Sequence, residues 1–360
     1  MSWLTEDDED EPYDGFDESS VRVRPSRRGS RPRTKQRPTH EEAVPGRVVT
    51  VDRGRMQVLL DEGGEDEREV QATRARELGK QGVVTGDVVE VVGDLSGGDG
   101  SLARIVRIAD RTTVLRRSAD DTDEVERVIV ANADQLLMVV AAADPEPRPA
   151  LIDRYLVAAF DAGITPLLLV TKTDLADPSP LIAEFVSIDL PVVTSANGSG
   201  LDPIRALLLG HTTVAVGHSG VGKSTLVNAL VPDAKRAIGA VNAVTGRGRH
   251  TSSSSLALRI RATEAERASG LPAAGWVIDT PGVRSFGLGH IDQANILRSF
   301  AARAIPVMDP PDGIPLADAH DWEIVDRIAA GELGEVGKRR LESLQRLLDA
   351  HGGRVVGADE

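Results

Sequence analysis

The chain has 360 residues, 41 % of them apolar and 3 % aromatic, no cysteine, and a formal net charge of −14. Such a length allows two or three domains with cores of their own, and those cores must rest on Val, Leu, Ile and Ala, the composition of parallel sheets covered by helices. The balance excludes a surface that is basic all over, disulfides and thiolate metal sites, and a membrane-spanning helix, because the longest apolar run, Leu136 to Ala143, falls far short of the roughly 20 residues needed. Acids rather than basic and then apolar residues follow Met1, so no export signal is read and a cytoplasmic, monomeric protein without membrane contact is expected.

Residues 1–20 carry nine acids and no Lys or Arg, and residues 21–40 carry eight Lys or Arg and no acid. Neither block has an apolar period, so residues 1–43 read as a disordered tail. The basic half suits an RNA-binding arm, and equally a solvated tail whose acidic half masks it.

Residues 44–112 change to short β-like runs. "GRVVTVDRGRMQVLLDE" reads as a hairpin turning at Asp52 to Gly54, and "GDVVEVVGD" and "LARIVRIADRTTVLRR" supply further strands. Several short strands in about seventy residues predict a small β-barrel, with the OB-fold as the commonest nucleic-acid-binding candidate. A barrel that serves only for packing fits the same pattern, and no aromatic stacking platform is present.

Residues 113–290 alternate strands and helices. "DQLLMVVAAA" reads as a buried strand and "ALIDRYLVAAFDAG" as a helix with a glycine stop. "TPLLLVTKTD", "LPVVTSA" and "GWVIDTPG" read as strands ending in polar loops, and "HTTVAVGHSGVGKSTLVNALV" as strand, loop and helix. Repeated βα units predict a parallel doubly wound sheet, whose ligands sit at the carboxyl ends of the strands.

Four short strings lie at those ends. Gly217, His218, Ser219, Gly220, Val221, Gly222, Lys223, Ser224 and Thr225 have the form of a P-loop. Its glycines let successive backbone N–H groups close around phosphate at a helix N-terminus. Lys223 would reach the β- and γ-phosphates, and Ser224 would place its hydroxyl on Mg2+. In "VIDTPG", Asp279 would hold the same ion and the Gly282 N–H would sense the γ-phosphate. In "TKTD", Asp174 can accept from two guanine donors that adenine lacks, Lys172 would lie along base and ribose, and Thr171 stands where Asn is usual. In "TSA", residues Ser195 and Ala196 would offer a backbone N–H to guanine O6. The ligands read from these strings are GTP or GDP with Mg2+.

The base-reading string precedes the P-loop by 46 residues, the reverse of the order in Ras-like proteins. The reading is a G-domain circularly permuted in sequence, whose switch loop leads straight into the last seventy or so residues.

With its preceding barrel, the chain resembles the circularly permuted, RsgA-type GTPases of small ribosomal subunit maturation, from about Val44 to His351. "GHSGVGKSTLVNAL", "GRGRHTSS" and "DTPGVRSFGL" carry the resemblance most specifically. It implies an OB-fold, a central GTPase, a C-terminal domain on ribosomal RNA, and activation by the small subunit. By this resemblance "GRGRHTSSSS" is the first switch, with Thr251 as the second Mg2+ hydroxyl and Ser252 as its rival. Val283 stands where Ras-like enzymes keep a glutamine that positions water, leaving that task to His250 or to the ribosome.

Residues 291–360 are expected to form a mainly helical domain. Most relatives of this type carry a zinc site there, spaced Cys-x4-Cys-x-His-x5-Cys, whose positions here hold Gly313, Asp318, His320 and Asp326. One His and two carboxylates make a poor structural zinc site, so no zinc is expected. The leading expectation is thus a GTP-hydrolysing assembly factor acting on the small ribosomal subunit and its rRNA. The competing one is an RNA-binding guanine-nucleotide sensor with slow turnover.

Overall fold

The computed structural model describes residues 40–52, 54–79, 81–98, 100–118, 126–185, 190–196, 198–232, 255–280, 330, 331 and 342. The acidic and basic tail and the C-terminal residues proposed for the zinc alignment lie outside them.

Five strands open the described chain: β1 (Val44–Asp52), β2 (Arg55–Leu60), β3 (Arg68–Arg74), β4 (Val88–Gly93) and β5 (Ala103–Ile108). They pair in the order β1-β2-β3-β5-β4, and β1 returns to β4 from Val44↔Val91 to Arg47↔Val88, which closes a five-stranded barrel. The neighbours are antiparallel except β3 and β5. Period-two alternation aims Val48, Val58, Leu60, Val70, Val89, Val91 and Ile105 into one apolar core. Buried Asp87 at the foot of β4 is held by Arg111, Nε to Oδ1 at 2.7 Å and Nη2 to Oδ2 at 2.9 Å, so the buried carboxylate is paired. The sequence reading named the strands around β3 but passed over "REVQATR" itself.

A two-stranded hairpin, β6 (Val114–Ser118) and β7 (Glu126–Ala131), leads to the main sheet. There β8 (Gln135–Ala141), β9 (Thr165–Thr171), β10 (Val192–Thr194), β11 (Thr212–Val216), β12 (Leu256–Arg261) and β13 (Ala274–Asp279) lie in the order β10-β9-β8-β11-β13-β12. Five of these strands are parallel, and β12 runs antiparallel to β13. The expected parallel sheet therefore carries one reversed edge strand, made by the hairpin that joins β12 to β13.

Helices α1 (Pro149–Asp161), α2 (Ser179–Phe185), α3 (Asp202–Leu208), α4 (Lys223–Leu230) and α5 (Glu264–Ala268) connect the strands. Both sheet faces are covered. Leu136, Met138 and Val140 of β8 pack in one core with Ile152, Tyr155 and Leu156 of α1. Leu137, Val139 and Ala141 pack in the other with Ile204 of α3 and Leu226 of α4. Such two-sided burial explains why β8 reads as an unbroken apolar run. No described helix is long and apolar enough to cross a membrane.

The barrel adjoins the sheet along its β12 edge, where Thr50 pairs with Leu256. Trp276 of β13 donates from Nε1 to Glu62 Oε1 at 2.7 Å, with the Arg47 and Arg259 guanidinium carbons 5.7 and 5.9 Å from its ring centroid. Desolvation works against the Glu62 carboxylate, but hydrogen bonds from Arg47 and Trp276 outweigh it and hold its pKa below the usual value.

Candidate functional site

The carboxyl ends of β8, β9, β10, β11 and β13 share one edge of the sheet, and the polar loops that follow them converge there. The loop between β11 and α4 is the phosphate-binding string. At Gly217 a Cβ would stand 2.5 Å from the Val139 carbonyl oxygen, so the chain passes β8 only without a side chain. Gly222, at φ +94, is the N-cap of α4, a left-handed conformation that strains any other residue. The two glycines therefore set the loop's path, and α4 begins at Lys223 with its N-terminus at the loop.

Lys223 and Asp279 face each other across the β11–β13 pair. The ammonium lies 2.7 Å from Asp279 Oδ1 and donates to the Thr280 carbonyl at 3.2 Å. Oδ1 is buried and accepts no hydrogen bond among the described residues, so the contact is an ion pair off the hydrogen-bonding angle. Thr280 is fixed in turn, its buried hydroxyl donating to the Ala215 carbonyl at 3.1 Å. A buried carboxylate oxygen that accepts no hydrogen bond among the described residues is an oxygen donor of the kind that suits Mg2+.

On the other flank, Thr171 ends β9 and its hydroxyl donates to the Val221 carbonyl at 2.6 Å. Lys172 follows at φ +56 and its ammonium donates to the Asp144 carbonyl. The Thr173 N–H donates to the Ser195 carbonyl at 3.3 Å, which ties the base-reading loop to the loop after β10. On this flank opens a cleft of about 540 Å³, lined by Thr171, Lys172, Ser195, Gly222 and Thr225 together with Leu169, Gly198, Leu201 and Leu226. The arrangement can take a flat heterocycle against apolar walls and place phosphates in the glycine loop.

Not every expected residue lines that cleft. Asp174 is exposed three residues beyond Thr171, and Ala196 pairs with Ser199 in a tight turn. Ser219 and Gly220 are exposed at the tip of the phosphate loop, and Val221 is buried beneath it. His218 lines a second pocket, of about 350 Å³, with Arg148 and Tyr155. Its Nδ1 lies 3.0 Å from the Ser219 carbonyl, so that nitrogen carries the hydrogen. Burial pushes the Tyr155 phenol up to about 12. His250, Thr251, Ser252, Gly282 and Val283 lie outside the described residues.

Sequence reasoning missed Gly198, Leu201 and Leu226 as cleft walls and Thr280 as a partner of Lys223. The Gly-Ser-Gly run at 198–200 was the one available signal, since it marks a tight turn after a strand.

The family model described as RsgA GTPase matches residues 108–289, half of the chain. The chain belongs to the RsgA GTPase family. The small ribosomal subunit biogenesis GTPase RsgA of Pseudomonas syringae pv. tomato is 38 % identical to this chain over 250 residues, covering 64 % of this chain and 68 % of that protein. The protein of the same name from Pseudomonas savastanoi pv. phaseolicola is 40 % identical over 226 residues, 61 % of each chain. The chain thus spans about two thirds of the length of these RsgA relatives. Two solved structures share the fold: YjeQ from Thermotoga maritima (TM-score 0.57, 22 % identity, covering 85 % of this chain and 99 % of that one) and YloQ, a circularly permuted GTPase (TM-score 0.58, 21 % identity, covering 87 % and 98 %). This RsgA family member presents the strand order that permutation requires, with the P-loop strand β11 between β8 and β13 although it follows both β8 and β9 in sequence.

Proposed function

We propose that the protein hydrolyses GTP as a maturation factor of the small ribosomal subunit, binding rRNA and leaving after hydrolysis. One observation carries the reading: a single cleft joins the Thr171–Lys172 loop to the Lys223 phosphate loop, at the strand ends of a sheet in an RsgA-family chain. Asp174 is the guanine reader, reaching the base from the lip of the cleft, with Ser195 and Ala196 behind it. Backbone N–H groups from Gly217 to Ser224 hold the phosphates. Ser224, Asp279 and Thr251 are the oxygen donors for Mg2+, which neutralises phosphate charge when bound. Gly282 senses the γ-phosphate, and His250 helps to orient water that Val283 cannot.

Residues 44–112 form an OB-fold: the strand order 1-2-3-5-4 with closure onto strand 1 supports that reading. Residues 113–290 are the permuted GTPase domain and residues 291–360 a mainly helical domain without zinc. The protein works as a cytoplasmic monomer, and the basic residues 21–40 are the arm proposed to meet RNA.

The test is the GTPase rate of the full chain with and without purified small subunits. Ras-like proteins awaiting an outside group turn over at about 10⁻⁴ to 10⁻² per second and gain on the order of 10³–10⁵ when it arrives. Acceleration by small but not large subunits is the expected result. A slow rate indifferent to subunits would leave instead an RNA-binding sensor of guanine nucleotides.

A further inference from the structure

Strand β1 carries an irregularity that re-aims one side chain. Its register against β2 steps from Val48↔Val58 to Thr50↔Gln57, so Val49 is an extra residue, a β-bulge. A plain pleat would aim Val48 and Thr50 to the same side. With the bulge, Val48 and Val51 face the barrel core, Val49 packs in the core of the main sheet, and the Thr50 hydroxyl donates to the Ser255 carbonyl at 3.0 Å. Thr85, from the turn before β4, donates to the same carbonyl at 3.1 Å.

Both donors are held firmly, at 3 % and 2 % exposed. The Thr85 carbonyl accepts from the Ala131 N–H at 3.1 Å, and the neighbouring Gly86 N–H donates to the Val48 carbonyl at 2.8 Å. A Cβ at Gly86 would collide with the Ala131 carbonyl, so the turn sits tightly against the β6–β7 hairpin. A buried hydroxyl costs stability unless it is bonded, and valine would fill either place as well. Two such hydroxyls nevertheless converge on one backbone oxygen.

The position of that oxygen gives the pair its meaning. Ser255 is the last residue of "GRGRHTSSSS", the string that resembles a first switch, four residues after Thr251. Four residues of chain span at most roughly 14 Å, so the place of Ser255 bounds where Thr251 can reach. The next residue, Leu256, pairs with Asp279, another proposed Mg2+ donor. The barrel therefore holds, through two hydroxyls, the point where the string meets the strand beside the metal carboxylate.

We propose that Thr50 and Thr85 are positioning residues through which the barrel fixes the β12 end of the first switch and so brings Thr251 to the ion beside Asp279. The proposal rests on the reading of Thr251 as an Mg2+ donor. A first switch is held by Mg2+ and the γ-phosphate together. Triphosphate binding therefore depends on this anchor, and diphosphate binding does not.

The experiment measures the affinity of the full-length protein for GDP and for a non-hydrolysable GTP analogue, both in Mg2+, by displacement of a fluorescent GDP analogue. The double variant Thr50→Val, Thr85→Val keeps the shapes and removes both donors. It should weaken the triphosphate about five- to tenfold, the scale of one lost hydrogen bond, and leave GDP within about twofold. Thr50→Ser with Thr85→Ser, which keeps both hydroxyls, should stay within about twofold of the parent for each nucleotide. An unchanged triphosphate affinity in the valine variant would overturn the proposal, as would equal losses for the two nucleotides, which would make the threonines plain supports of the seam. Thr251→Ala completes a cycle: in its background the two valines should weaken the triphosphate no further, and a full additional loss there would also overturn the proposal. If the double valine variant does not fold, the single variants decide. Each should lower the preference for triphosphate over GDP about two- to threefold, and an unmoved ratio sinks the idea. A Thr251→Ala variant that binds the triphosphate as the parent does would instead remove the Mg2+ role of Thr251, and the proposal with it.

Discussion

The Lys223 ammonium lies 2.7 Å from Asp279 Oδ1, which pairs the phosphate-loop lysine with the carboxylate proposed to hold Mg2+. Nucleotide binding must turn the lysine toward phosphate, and a cation near Asp279 compensates the carboxylate that the lysine leaves. The pair is therefore a competitor of the ligand when Mg2+ is withheld.

Asp279→Asn tests that competition. Removing the charge frees Lys223, so GDP affinity in EDTA should be equal to or a few-fold above that of the parent. Addition of Mg2+ should then strengthen binding far less than in the parent, since a hard cation prefers an anionic oxygen to an amide. Titration calorimetry in EDTA and in Mg2+ gives both numbers. Undiminished strengthening by Mg2+ would take Asp279 out of the metal set.

Asp174 is exposed on the turn that follows β9, two residues beyond the cleft-lining Lys172, and its proposed role is base choice. Asp174→Asn offers an amide where guanine presents two donors and an acceptor is wanted, so preference should move from GTP toward XTP. A site built for a hydrogen-bonding pattern rejects the wrong one by several orders of magnitude when fully buried. At this exposed position a shift of about 10- to 100-fold in the GTP to XTP ratio is expected. Competition binding with GTP, XTP and ATP measures it, and an unmoved GTP preference would dismiss Asp174 as the reader.

These roles differ in how visible they were in the sequence. The phosphate string could be read because its glycines follow an apolar strand, Thr212–Val216, and precede a run of helical spacing. The β8 strand could be read because both of its faces are buried, which leaves no polar interruption. The direction of β12 could not: "LALRIR" has the same composition whether it runs with or against β13, and the hairpin that reverses it is a property of the pair. The hydroxyl bond of Thr171 was hidden for another reason. It joins two loops 50 residues apart, and no local pattern records which carbonyl a buried threonine will meet.

Arg205 illustrates the same blindness and gives a pH prediction. From α3 it makes two hydrogen bonds to Glu266 of α5, Nε to Oε1 at 2.6 Å and Nη2 to Oε2 at 2.9 Å, and also donates to the Leu230 carbonyl at the end of α4 and the Arg261 carbonyl at the end of β12. The Arg205 guanidinium holds the Glu266 carboxyl down to about 2, helped by bonds from Thr263 in the capping box of α5. The folded pKa lies below the unfolded one, so this contribution to stability is fully present above the ordinary value of 4.5 and is lost as pH falls from there toward 2. Glu266→Gln should flatten that part of the acid-unfolding profile and cost roughly 1–3 kcal/mol at neutral pH. Urea titrations at pH 7, 5, 4 and 3 would show it, and a parallel loss in parent and variant below pH 4.5 would assign the acid sensitivity to other carboxylates.

The seam between barrel and sheet yields a prediction about additivity. Thr50 and Thr85, both nearly fully buried, donate their hydroxyls to one acceptor, the Ser255 carbonyl, at 3.0 and 3.1 Å. Ser255 precedes β12, whose Leu256 pairs with Thr50 on one side and with Asp279 on the other. A carbonyl oxygen has two lone pairs, so either hydroxyl alone keeps it hydrogen-bonded when the other is removed. Thr50→Val or Thr85→Val should each cost about 0.5–1 kcal/mol, the net worth of one hydrogen bond. The double variant leaves the carbonyl without either donor and adds its desolvation penalty, so it should exceed the sum of the singles by roughly 1 kcal/mol. Equilibrium urea unfolding of the three variants measures that coupling. Strict additivity would mean that water replaces the hydroxyls at Ser255, and that the barrel is seated instead by Trp276, Glu62 and the two arginines that flank the indole.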